Sequence, residues 1–386
     1  MLSKRILYLL ICHTLFVALF ASCEKGSPSV DDGEFSTIPI EFSLADFSAE
    51  VKGNALTSST ISDFGAFSLI NNTTSGKTTP FMENVEVRKS TSGNSTTWGC
   101  NPPYYWPLLP DKELTFFAYA PYNGAANSSS IYYDENDRQW KMDVKHVVPE
   151  NPVQQVDLSV ARDLEPKTIN NAGEPVDLSF SHTLSSVTFA ANYRGSLPDN
   201  CVLRVTEISL SNLVMTGTLT VNSTQEEGVP WFSWSLDETE KGKIKMTSFN
   251  DALKKKDNVP MRNNENNNHL NLLATDIDAY MIPQSINPGL EVVVSDATDI
   301  SERSLLSLTF SYYRPDPENA GGLKEIAQFS TQLLLPAGEW GIFSKIKYVF
   351  TIDLDKVWLA DLTVIKEGNI DVWEGAVNYH PETDIK

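Results

Sequence analysis

Apolar residues recur at every second position along much of this chain. Ile38, Ile40, Phe42 and Leu44 alternate with Thr37, Pro39, Glu41 and Ser43, which is the pattern of a strand with one face on a core. The same period returns at Val176, Leu178, Phe180, His182 and Leu184, and again at Ile346, Tyr348, Phe350, Ile352 and Leu354. Shorter strand-like runs are Leu114 to Tyr119, Glu207 to Leu210, Leu290 to Ser295 and Leu305 to Phe310. Turn-forming groups separate them: Asn123-Gly124, Asn171-Ala172-Gly173, Asn287-Pro288-Gly289 and Pro336-Ala337-Gly338. No stretch carries a helical stripe over three turns. The pattern therefore predicts an all-β chain built from sandwiches rather than βαβ units.

One stretch departs from simple alternation. Trp98 to Tyr122, WGCNPPYYWPLLPDKELTFFAYAPY, holds eight aromatic residues in 25, against 10% for the whole chain. In Leu114-Thr115-Phe116-Phe117-Ala118-Tyr119 apolar residues occupy both faces, as in a strand covered on both sides. The Pro-rich segment Asn101 to Pro110 leads into it in extended form, because proline cannot donate to a ladder. Aromatic side chains bury large areas, so this block reads as core. An exposed sugar platform is the competing reading for Tyr104, Tyr105 and Trp106. His182, on the inward face of its strand, reads as a core group rather than a ligand.

A mature chain of this length exceeds what one core supports, so two domains are expected. The turn at Asn170 to Pro175 separates an N-terminal sandwich over residues 35–174 from a C-terminal one over 175–386. The second is enlarged by a polar insertion near 240–270.

The N-terminus begins with Lys4 and Arg5, continues with the apolar run Ile6 to Phe20 and reaches Ala21-Ser22-Cys23. The run is too short for a bilayer span, which takes about 20 helical residues, and residues 1–22 read as a secretion signal. Small residues before Cys23 fit a bacterial lipobox, with Phe20 where Leu is more usual. Cys23 is the predicted lipidation site, and residues 23–34 form the linker from that anchor.

Losing Lys4 and Arg5 with the signal moves the net charge from −20 to −22. So acidic a chain repels phosphate backbones, which excludes nucleic acid as a partner. The basic run Lys254 to Lys256 sits in DALKKKDNVPMRNNENNNH, a polar segment that reads as a solvated loop. Once Cys12 is removed and Cys23 lipidated, Cys100 and Cys201 remain. They either pair in an oxidising compartment or stay free, and no CxxC spacing points to zinc.

Catalytic signatures are missing from the sequence. The histidines are scattered outside any HExxH spacing, and there is neither a GxSxG elbow nor a Walker glycine loop. Asp134-Glu135-Asn136-Asp137 lacks the glycine and glutamate of a calcium loop. The carboxylate pairs Asp276/Asp278 and Asp353/Asp355 carry little weight among 50 acidic residues. The expectation is a protein that is not an enzyme and holds no cofactor or metal.

Several segments together resemble the fimbrillin family, the type V pilin subunits of the Bacteroides group. They are the lipobox, IPIEF, ISDFGAF, PYYWP followed by LTFFAYAPY, VDLSFSHTLSSVTF, AYMIPQSI, LPAGEWGIFSKIKYVFTIDL and IDVWEGA, in that order. The resemblance implies two transthyretin-like β-sandwich domains in tandem, exported as an outer-membrane lipoprotein and used in surface fimbriae for adhesion. In that family a trypsin-like protease removes the first strand, and a strand from a neighbouring pilin subunit fills the groove, as in strand addition generally. Carried onto this sequence, the removable strand is Ile38, Ile40, Phe42 and Leu44. The cut falls between Asp46 and Thr60, where Lys52 is the basic residue in place of the family's arginine. Ile370, Val372 and Trp373 are the apolar candidates for a donor strand, or for the last strand of their own sandwich, which favours a tip or accessory subunit. A second reading is a surface glycan-binding lipoprotein. It requires Trp98, Tyr104 and Trp106, or Trp231 and Trp234, to be exposed and roughly coplanar.

Overall fold

The computed structural model describes residues 34–45, 56–57, 59–92, 95–124, 128–194, 202–224, 230–247, 270–271, 278–288, 302–353 and 358–367. Among them are strands and two single-turn 3-10 segments, Pro152–Gln154 and Ile169–Asn171, and no α-helix. The all-β reading holds.

An eight-stranded sheet builds the first half. Its spatial order starts with β11 (Val176–Leu178), β2 (Glu41–Leu44), β5 (Ser95–Asn101) and β4 (Lys77–Ser92). It continues with β3 (Asp63–Asn72), β7 (Lys112–Ala120), β10 (Ser159–Lys167) and β12 (Ser181–His182). The two ends of this order, β11 and β12, are joined by Ser179 and Phe180 alone. Three Cα steps reach about 11 Å at most, so the sheet must curl until its ends meet. The curl encloses an aromatic core of Phe42, Phe64, Trp98, Trp106, Phe116 and Phe180. The alternation from Val176 to Leu184 is therefore not one strand: it serves both ends of the curled sheet and then enters β13 (Ser185–Arg194). A short ribbon of β1 (Phe35–Pro39) and β6 (Tyr105–Pro107) closes one end.

β7 explains the doubly apolar stretch. Leu114, Phe116, Ala118 and Ala120 point into the curled core, whereas Phe117 and Tyr119 join a second core on the outer face. That second core lies under a four-stranded sheet of β16 (Phe232–Leu236), β15 (Thr216–Asn222), β9 (Gln139–Val147) and β8 (Ser129–Asp134). Strands from both sides of residue 175 thus share a sheet. Tyr119 also dictates a glycine, because a Cβ on Gly65 would lie 2.3 Å from Tyr119 Cε1.

The second core continues between two further sheets. One runs β17 (Lys241–Met246), β14 (Val202–Val214), β21 (Leu305–Pro315) and β22 (Leu323–Leu334). The other runs β18 (Leu270–Asn271), β13, β24 (Lys345–Asp353) and β25 (Trp358–Glu367), with β19 (Ala279–Met281) also on β13. A ribbon of β20 (Gln284–Ile286) and β23 (Gly338–Trp340) completes the set.

Within β9, His146 faces Trp234 at 6.2 Å between ring centroids. Burial pushes its pKa down to about 4 from the ordinary 6.5. The unfolded chain takes up the proton first, so this contribution is complete above pH 6.5 and is lost as pH falls toward 4. A fully buried ring would lose about 3 kcal/mol over that window. For half-buried His146 the expected loss is on the order of 1–2 kcal/mol. Denaturant titrations at pH 7 and pH 4.5 should show this slope in the wild type and a flatter one in His146→Phe.

Candidate functional site: the first strand and its cleft

The first described segment is held along both edges. In the β1–β6 ribbon Leu108 N–H donates to Glu34 O at 2.9 Å, and Ile40 N–H donates to Tyr104 O at 2.8 Å. β2 then runs antiparallel to β5, with Phe42 opposite Trp98, and parallel to β11, with Phe42 opposite Val176. Ala45 N–H donates to Leu178 O at 3.0 Å, and Ser43 Oγ donates to Asp177. β2 is therefore an interior strand, although it comes near the start of the described chain.

Its side chains fill the curled core. Ile40 and Phe42 are each 1% exposed. The Phe42 ring meets Phe64 at 5.5 Å and Phe116 at 5.6 Å, both edge to face. Leu44 is partly buried against the same core. Ile38 departs from the expectation of one inward face, being 40% exposed. Ile38 falls in the irregular stretch of the β1–β6 pairing, where the step from Phe35 to Pro39 is matched by only the step from Pro107 to Tyr105.

The aromatic block is core. Trp98, Tyr104 and Trp106 are 4%, 9% and 0% exposed, which removes them as a coplanar surface platform. Of the other proposed pair, Trp231 is covered by the Arg162 guanidinium 4.9 Å from its ring, and Trp234 Nε1 donates to Thr183 O at 3.0 Å. Both are only half-buried and pack against the second core.

Cys100 lies beneath the first strand as a free thiol, its Sγ 3.9 Å from Ile40 O. Burial pushes its pKa up to about 12, with the Tyr104 main chain partly offsetting this. The thiolate is the reactive form, so at pH 8 alkylation of Cys100, read by peptide mapping, should be roughly a thousandfold slower than for an ordinary cysteine. Loss of the strand would uncover the thiol and abolish most of that protection.

Beyond the strand, Asp157 gathers three elements. Its carboxylate is 2% exposed and accepts from Leu56 N–H at 3.3 Å. The same carboxylate is paired with His182 Nδ1, and Ser159 Oγ lies 3.3 Å from that nitrogen. The His182 ring stacks on Phe343 at 5.2 Å. Both Asp157 and Ser159 face Nδ1, an arrangement that fixes the ring and is not that of a nucleophile and its base. No sequence signal marked Asp157, because its partner is 25 residues away on another strand. Asp278, noted as one of a carboxylate pair, accepts from Ser186 Oγ at 2.6 Å. Asp134 and Asp137, in the faintly calcium-like turn, are both paired with Lys141. Among the described residues no cluster of three metal-ligating side chains occurs.

Cys23, Lys52, Cys201, Ile370, Val372 and Trp373 lie outside the described residues.

These features define an all-β protein whose early strand is an interior member of a curled sandwich, paired on both edges. A family profile described as fimbrillin-like matches residues 51–310, and the chain belongs to that family. The fold is similar to that of a fimbrial protein from Bacteroides vulgatus, with a TM-score of 0.54 and 18% identity over 86% of this chain and 99% of that one. A candidate cell adhesion protein from Bacteroides uniformis aligns with a TM-score of 0.45 and 15% identity over 88% of this chain and 99% of that one. No curated protein matches the sequence.

Proposed function

We propose that this chain is a subunit of surface fimbriae that serves cell adhesion and assembles with other pilin subunits through exchange of its first strand. The reading is supported chiefly by β2. It is a short strand bonded on both edges and anchored by Ile40 and Phe42, so its departure would leave a slot between β5 and β11 lined with main-chain groups and aromatic pockets. Such a slot suits an incoming extended strand. The trigger is a cut after Lys52, followed by release of Ile38, Ile40, Phe42 and Leu44. Ile370, Val372 and Trp373 are the donor residues if the subunit is one of a stalk, and remain with their own sandwich if it is a tip or accessory subunit. The lipid on Cys23 places the uncut chain on the outer membrane. The chain forms two transthyretin-like sandwiches that meet near residue 175, with strands crossing between them there, β11 onto β2 and β15 onto β9.

Digesting the mature chain with a Lys-specific protease, then comparing unboiled and boiled samples on a denaturing gel, tests the scheme. Cleavage after Lys52 with a heat-labile ladder is the expected outcome. Resistance at Lys52 with only a monomer band would sink it.

A further inference from the structure

Among the described residues, the longest edge strand in the C-terminal half has a composition that natural edges avoid. β22 runs 12 residues from Leu323 to Leu334, and among the described residues it pairs only with β21. Its other edge carries main-chain donors and acceptors that can template another strand. Proteins blunt such edges with lysine, proline or a bulge. Here the charges Lys324 and Glu325 and the register shift opposite Tyr312 and Tyr313 are confined to one end. From Ile326 to Leu334 the sequence IAQFSTQLL contains no charge and no proline. Ile326 is 46% exposed.

The flanks of that run are also symmetric in chemistry about Ser330, while its inner pair sets Phe329 against Thr331. Reading outward from Ser330, Thr331 matches Phe329 in position, Gln332 matches Gln328, Leu333 matches Ala327, and Leu334 matches Ile326. Laid antiparallel against its own copy and centred on Ser330, the strand sets amide opposite amide and apolar opposite apolar at both flanks. Gln328, Ser330 and Gln332 are exposed on one face. There Gln332 Nε2 donates to Ser307 Oγ at 3.0 Å, and Ser330 Oγ lies 3.0 Å from Thr309 Oγ1, which holds these side chains over β21 and leaves the edge clear. On the other face Phe329 stacks on Phe310 at 5.7 Å, fixing the strand to the core. A two-fold contact requires this self-complementarity.

We propose that the free edge of β22 is a docking surface for a second copy of this chain, joined antiparallel about Ser330. The contact is independent of the first strand, so it would link uncut subunits sideways.

The mature chain bearing Ser330→Cys tests it. Paired residues on neighbouring antiparallel strands have Cα atoms about 4.5–5.5 Å apart, within disulfide range. Mild oxidation should give a covalent dimer whose 330–330 link is found by peptide mass spectrometry. Gln328→Cys alone should not link to itself, but mixed with Gln332→Cys it should link to that partner. Ser330→Lys, with an unchanged unfolding midpoint, should lower the dimer fraction in sedimentation by about tenfold. Monomers at all concentrations with no 330–330 link would overturn the proposal, as would equal self-linking at 328 and 330. A chain ending at Glu367 that dimerises where the full chain does not would also overturn it, assigning the edge to the chain's own C-terminal segment.

Discussion

Replacing Phe42 with alanine is expected to lower the stability of the uncut chain by about 3–5 kcal/mol. The ring is 1% exposed and sits edge-on to both Phe64 and Phe116. Because β2 is held between β5 and β11 by the main chain, the neighbours cannot collapse far into the space left by the ring, which sets the cost at the upper part of that range. Chemical denaturation followed by tryptophan fluorescence reads the effect, since Trp98 and Trp106 share this core. Phe42→Leu, which retains most of the volume, should cost much less. A loss under about 1 kcal/mol for Phe42→Ala would mean that the strand does not anchor the curled sandwich.

Asp157→Ala should be of similar size, about 3–5 kcal/mol, because it breaks a buried pair by removing one partner. It also removes the acceptor for Leu56 N–H, the first described main-chain contact after the segment that contains Lys52. A second effect follows, namely faster proteolysis in residues 46–55. Asp157→Asn keeps an acceptor for Leu56 and a partner of the same shape for His182, so it should recover part of the stability and most of the protease resistance. Equal losses for the two variants would assign the effect to charge alone and disconnect Asp157 from the processing segment.

The class of fold was legible because period-two alternation is local: Ile40 and Phe42 needed no partner to be placed on an inward face. The burial of Phe116, Phe117 and Tyr119 was legible for a related reason, since apolar residues on both faces of Leu114 to Tyr119 leave no side for water. Tyr104 and Trp106, by contrast, kept a surface platform as the competing reading until the structure showed them buried. What local pattern could not give was direction in space. Val176 to Leu184 keeps its alternation while the chain passes from one end of the curled sheet to the other at Ser179 and Phe180. Ile38 keeps its place in the alternation but lies exposed where the pairing of β1 with β6 is irregular. The Asp157–His182 pair is a tertiary contact between residues 25 apart, and nothing in VDLSV distinguishes that aspartate from the other acidic residues. The free edge of β22 had the same limitation, because the sequence shows that a strand is uncharged but not that it lies at an edge.

The central claim is that the first strand is replaceable. The most direct measurement cuts the mature chain after Lys52, adds an isotopically labelled peptide of residues 35–45, and follows the complex by native mass spectrometry. One labelled peptide per chain should displace the original strand, and Cys100 should become alkylatable only while the cleft is empty. A cut chain that keeps its own strand, takes up no peptide and keeps Cys100 protected would contradict the account.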